Sequence, residues 1–234
     1  MTTSQQHLVL AAARNNAAWC AAMSRSHGLA GEFGDRAWSA PARTPLYYPD
    51  AVTLAPHVVP EALVSRIDTA APGASVKDSF ADLDLAESGF GVLFEAQWIH
   101  RPAGAAVPAP ESSWQVADSP EELLAWALAW DGGAGNADLF RAELLDDPDT
   151  FVVAVRDAGG GVAAGAVVSR SDRVAGVSNV FGSPAAAWPA VLHAVGSLLP
   201  ALPVVGYEQG EDLAAALRHG FEPIGPLRVW LHGL

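Results

Sequence analysis

The strongest constraint on this chain's fold is a unit that occurs twice: a short strand, an acidic-capped helix ending in Gly-Phe, then a strand ending in an aromatic. The first copy runs from Ala74 through Ala81-Asp-Leu-Asp-Leu-Ala-Glu-Ser-Gly-Phe90 into Gly91-Val-Leu-Phe-Glu-Ala-Gln-Trp-Ile99. The second runs from Pro203-Val-Val-Gly-Tyr207 through Glu211-Asp-Leu-Ala-Ala-Ala-Leu-Arg-His-Gly-Phe221 into Leu227-Arg-Val-Trp-Leu231. Gly89 and Gly220 stand where each helix must stop, a position that favours the left-handed backbone glycine reaches at no steric cost. Repetition of such a unit implies two related halves.

Composition removes several classes of function. The chain has 234 residues, half of them hydrophobic, enough for a substantial core. Its net charge of -13, with only thirteen lysines and arginines, argues against nucleic acid and against anionic lipid as partners, because both need clustered cations. The single cysteine, Cys20, excludes an intramolecular disulfide and a thiolate metal cluster, so no metal is expected and the chain reads as cytoplasmic. No apolar run reaches the roughly 18 residues that a membrane span requires.

Along the chain, residues 7–27 read as a helix of strong helix formers stopped by Gly28. A strand is expected over 47–55 and a proline-opened helix over 60–69. The Pro- and Ala-rich stretch 101–110 has linker composition, so the expected domains are 1–106 and 111–234. The second begins with a strand at Trp114 and a helix from Pro120, for which Asp118 or Ser119 is the cap. After a Gly-rich loop comes a second helix over 137–145, then two Val-rich strands joined by Asp157-Ala-Gly-Gly-Gly161, a hairpin signal. A strand over 174–181, a helix over 184–199 and the second repeat copy complete the order β-α-α-β-β-β-α-β-α-β. Three consecutive strands between helical pairs are not the order of a doubly wound nucleotide fold.

That order resembles the GCN5-related N-acetyltransferase (GNAT) superfamily over about residues 111–234, carried by Val162-Ala-Ala-Gly-Ala-Val-Val, Val177-Ser-Asn-Val-Phe-Gly and Leu217-Arg-His-Gly-Phe-Glu-Pro-Ile-Gly in sequence. The stretch 47–98 is similar to the trailing part of the same fold, which makes the chain a tandem arrangement with a reduced first copy. The resemblance implies an α+β fold: a mixed, mostly antiparallel twisted sheet whose central strands splay apart. It also implies an N-acetyltransferase that uses acetyl-CoA as co-substrate. Backbone groups on the splayed strands, 174–181 and 204–207 here, would hold the pantetheine arm. Val180, Phe181, Gly182, Ser183 and Ala187 are the implied cofactor contacts, the last three because amides at a helix start favour the pyrophosphate.

The sequence departs from the family in two places. The usual Arg or Gln followed by x-x-Gly-x-Gly or Ala is replaced by Gly182-Ser-Pro-Ala-Ala-Ala-Trp-Pro189, with no cation in the turn. The tyrosine that commonly protonates the leaving thiolate, four residues before the helix-ending glycine, is Ala216 in one copy and Leu85 in the other. A base is still needed to free the attacking amine, and Glu208, Tyr207 and Asn179 are the polar groups this register brings forward. Glu208 is equally suited to capping the next helix, Tyr207 to packing, and Asn179 to satisfying a neighbouring backbone group.

In the first half, Arg25, His27 and Trp38 are candidates to line an acceptor cleft. Cys20 and His27 lie two helical turns apart, on the order of 10 Å, too far for a nucleophile–base bond. The leading reading is therefore an acyl-CoA-dependent transferase acting on a small-molecule or peptide amine, as a monomer or homodimer. Its rival is a catalytically silent relative that binds a ligand or partner in the same crevice. A hydrolase built on Cys20 is a third reading.

Overall fold

A computed structural model describes residues 3–107 and 109–234. The chain falls into two compact units, one running through Trp98 and taking back Pro223–Leu234, the other Ile99–Glu222. The described part of 102–112 carries no helix or strand and lies inside the second unit. Among the described residues, no helix is long and apolar enough to cross a membrane.

The first unit opens with helix α1 (Thr3–Ser26), one residue short of the expected stop, with Gly28 at φ +72° just beyond. Strands β1 (Glu32–Phe33), β2 (Ala37–Ser39) and β3 (Ala51–Thr53), the short helix α2 (Pro60–Val64) and strand β4 (Ser75–Asp78) follow. Strand β5 (Phe90–Arg101) leads out of the unit. With the chain's last strand, here numbered β11 (Glu222–His232), the order across this part of the sheet is β1-β2-β3-β4-β11-β5. Leu63, Val76, Leu85, Phe90 and Trp230 form its core. The Asp50 carboxylate, 1% exposed, accepts from the amides of Thr44 at 2.8 Å and Ser75 at 2.7 Å and ties the loop before β3 to β4.

Three expectations for this unit need correction. The strand expected over 47–55 shrinks to β3, because Tyr47 takes φ +70° and the chain turns there. The helix expected over 60–69 ends at Val64. The helix of the first repeat copy is a single 3-10 turn, Ala86–Ser88. Here the Asp78 carboxylate accepts from the amides of Phe80 at 3.2 Å and Leu83 at 2.9 Å, so side-chain acceptors take the donors that a helix would have used.

The stop of the repeat is nonetheless the same in both copies. Gly89 and Gly220 sit at φ +81° and +84°. The Phe90 amide donates to the Leu85 carbonyl at 3.2 Å, and the Phe221 amide to that of Ala216 at 3.3 Å. Both phenylalanines are buried.

The second unit holds β6 (Ser113–Val116), α3 (Pro120–Asp131), β7 (Thr150–Arg156), β8 (Val162–Arg170), β9 (Ala175–Phe181), α4 (Pro184–Leu198), β10 (Val204–Glu208) and α5 (Gly210–Arg218). Ser119 caps α3, its hydroxyl accepting from the Glu122 amide at 3.3 Å. The helix expected over 137–145 is replaced by two 3-10 turns, Ala137–Leu139 and Ala142–Asp146. Strands β6 to β9 form an antiparallel meander, and β10 joins β9 in parallel.

Alternation assigns the two faces. Ala166, Val168 and Val177 pack beneath Val191 and Val195 of α4. On the opposite face Gly165 lies under Trp126 of α3, where a β-carbon would come within 2.4 Å of the indole nitrogen. That indole donates to the Val153 carbonyl at 2.9 Å.

Candidate active site

The site is organised by a break in the alternation of β9. Val167 pairs with Ser178 and Gly165 with Phe181, so two residues, Asn179 and Val180, oppose Ala166 alone. Asn179 absorbs the extra residue at φ +53°, a conformation that asparagine tolerates better than other side chains except glycine. The bulge resets the faces. Val180 packs against Ala187 and Ala190 of α4, whereas the Phe181 ring meets Trp126 edge-on at 5.2 Å on the other side.

Beyond this point β9 and β10 separate. They pair only at Val204 with Ala175 and Val205 with Gly176, although β9 continues to Phe181 and β10 to Glu208. Gly206 marks the last close approach, where a β-carbon would lie 2.8 Å from the Val177 carbonyl oxygen. Asn179 and Glu208 are each three residues past the last pair, at matching heights on the two diverging strands.

At the end of β9 the chain turns through Gly182, at φ +89°, where a β-carbon would come within 2.5 Å of the Ala163 carbonyl oxygen. Ser183 then precedes α4 without its hydroxyl forming a cap bond, and Pro184 occupies the first turn. The amides of Ala186 and Ala187 both donate to the Ser183 carbonyl, at 2.9 and 2.8 Å. This leaves the amides of Ser183 and Ala185 without a backbone acceptor among the described residues. Trp188, whose bulk stands where the family's motif has glycine, is 3% exposed and points inward, its ring 5.0 Å from that of Phe221. It therefore does not occlude the turn.

Glu208 ends β10 partly buried, and Tyr207 beside it is partly buried as well. Burial, with the Asp212 carboxylate on the first turn of α5 adding to it, pushes the Glu208 carboxyl up to about 7. A carboxyl with that affinity for a proton is matched to proton exchange at neutral pH. Asp212 and Gly206 were not singled out by the sequence. The signals for them were the like charges in Glu208-Gln-Gly-Glu-Asp212 and a glycine inside a strand.

The acceptor candidates lie in the first unit. Arg25 is exposed in the last turn of α1, and His27 is partly exposed just after it. Trp38 is wholly buried in β2, its ring lying across Gly31. Cys20 is 1% exposed and burial pushes its thiol up, which leaves it a poor nucleophile.

No family model and no curated protein matches this chain. Solved structures do. A GCN5-related N-acetyltransferase from Kribbella flavida superposes with a TM-score of 0.60 at 18% identity, over 94% of this chain and 95% of that one. A protein assigned to the GNAT family from Novosphingobium aromaticivorans gives 0.56 at 13% identity, over 91% and 94%. A conserved protein of unknown function from Staphylococcus epidermidis gives 0.56 at 11% identity, over 74% and 76%.

Proposed function

From the premise that this chain has the GCN5-related N-acetyltransferase fold, we propose that it transfers an acetyl group from acetyl-CoA to an amine. The observation that carries this reading is the separation of β9 from β10 after only two paired positions. Two diverging strands present main-chain donors and acceptors to a crevice, and an extended amide-containing arm is the ligand such an edge suits.

The residues then take the following roles. Gly182 permits the tight turn that leads from β9 into α4 and places the Ser183 hydroxyl and the Ala185 amide at the mouth of the crevice. Val180 and Phe181 wall the arm, and Ala187 closes the helix side. Glu208 accepts a proton from the ammonium of the acceptor, directly or through water, so that the free amine attacks the thioester carbonyl. As the tetrahedral adduct collapses, the carbon–sulfur bond breaks and the thiolate takes up a proton. Tyr207, adjacent to the base, is the donor assigned to that step.

Ala216, buried on α5 where the usual tyrosine would stand, favours the rival reading of a silent binding protein. Calorimetric titration with acetyl-CoA, followed by turnover on a panel of amines, separates the two. Binding below about 1 mM with acetyl transfer supports the enzyme. Binding without transfer to any amine, or no binding at all, supports the silent relative.

A further inference from the structure

Resting on the acyltransferase reading, we infer that the protein recognises its donor by the pantetheine thioester arm alone and does not read the nucleotide end. Simple acyl-pantetheine thioesters then serve it as well as coenzyme A thioesters do. The observation is the charge content of the crevice. From Ala175 to Glu208, which spans β9, the turn, α4 and β10, there is no lysine, no arginine and no aspartate, and Glu208 is the one glutamate.

The turn itself offers little to a diphosphate. Pro184 has no N–H, and the Ala186 and Ala187 amides are already engaged by the Ser183 carbonyl. The Ser183 and Ala185 groups that remain are exposed, so water and salt screen whatever they contribute.

Arginines elsewhere in the second unit are committed or distant. Arg156 pairs with Glu122 at 3.6 Å and Arg170 with Asp149 at 2.6 Å. Arg101 spends its guanidinium on the carbonyls of His219, Ala105 and Ala106. Arg173 precedes β9, about 20 Å of strand away from the turn. Arg218 lies in the last turn of α5, at the end remote from Glu208. Arg141 is exposed beside the 3-10 turns, with Phe140 packing on Trp126 on the face opposite α4.

The arm needs none of this. It is uncharged, and its amides pair with main-chain groups of the diverging strands irrespective of side-chain charge. The nucleotide end, carrying all the phosphates, meets a chain of net charge -13.

Calorimetry on the whole chain with acetyl-CoA, S-acetylpantetheine and adenosine 3′-phosphate 5′-diphosphate tests this, each at about 50 and about 500 mM sodium chloride. The two thioesters are expected to bind within about fivefold of each other, with affinities that change less than about twofold with salt, and the nucleotide to give no heat. A preference for acetyl-CoA above about fivefold, larger salt dependence, or binding of the nucleotide overturns the inference while leaving the acyltransferase reading intact. Binding of neither thioester overturns both.

Discussion

Gly206 lies so close beneath Val177 that a β-carbon on it would stand 2.8 Å from the Val177 carbonyl oxygen. That contact is the vertex from which β9 and β10 open. Gly206→Ala must push the strands apart at their last pair, at a cost of about 1–3 kcal/mol by the usual scale for overpacking. Chemical denaturation should show that loss. Acetyl-CoA affinity should fall with it, whereas Gly196→Ala inside α4, which meets nothing within 4 Å, should leave affinity unchanged and raise stability by about 0.5–1 kcal/mol.

The raised Glu208 carboxyl gives a pH signature with a fixed sign. If Glu208 is the base, kcat/KM rises as pH passes through about 7, and Glu208→Gln removes that limb along with most of the activity. Stability moves the other way. The folded state holds the proton between pH 4.5 and about 7 while the unfolded chain has released it, so folding weakens as pH climbs through that window. Glu208→Gln should therefore be more stable than the parent at pH 8, by about 2 kcal/mol, and nearly equal to it at pH 4. Paired melts at the two pH values check this.

The bulge at Asn179 separates backbone from side-chain roles. Asn179→Gly retains the left-handed conformation and should keep stability within about 0.5 kcal/mol and keep thioester binding. Asn179→Val places a β-branched residue at positive φ and should destabilise by about 1–2 kcal/mol. If the glycine variant binds the donor normally but turns over slowly, the amide side chain acts in the reaction.

In the first unit, the buried Lys77 ammonium donates to the Asn16 carbonyl oxygen at 2.8 Å. Asn16→Leu removes that acceptor and should cost about 3 kcal/mol, since a buried charge loses part of its solvation. Adding Lys77→Met should recover most of the loss, measurable as a double-mutant cycle in urea.

Much of the second unit was legible because its signals are local. The glycines in Asp157-Ala-Gly-Gly-Gly161 fix the β7–β8 hairpin, Pro184 opens α4, and Gly220 ends the last helical segment. Asn179 could be picked out as polar, but not as the residue that carries a bulge, because register depends on which side chains the two covering helices demand. The first repeat copy misled because Asp84-Leu-Ala-Glu reads as a capped helix, whereas the Asp78 carboxylate six residues earlier decides the outcome. Trp188 misled for a related reason. It stands where the family's motif has glycine, but its direction is set by the helical turn and by packing on Phe221. The proton affinity of Glu208 depends first on burial, which no local pattern encodes, and only then on the nearby Asp212 that the charge run does show.

Because β9 carries one residue more than its partner, the strand reads out of phase on either side of Asn179, and its length is as much a specification as its composition. Excising Asn179 would restore plain alternation with Phe181 still opposite Gly165, whereas inserting one more residue after it, without a second bulge, would turn Phe181 from the tryptophan side to the α4 side. Selection on this segment thus acts on spacing, and lengthening it by one should be far more disruptive than any conservative exchange within it.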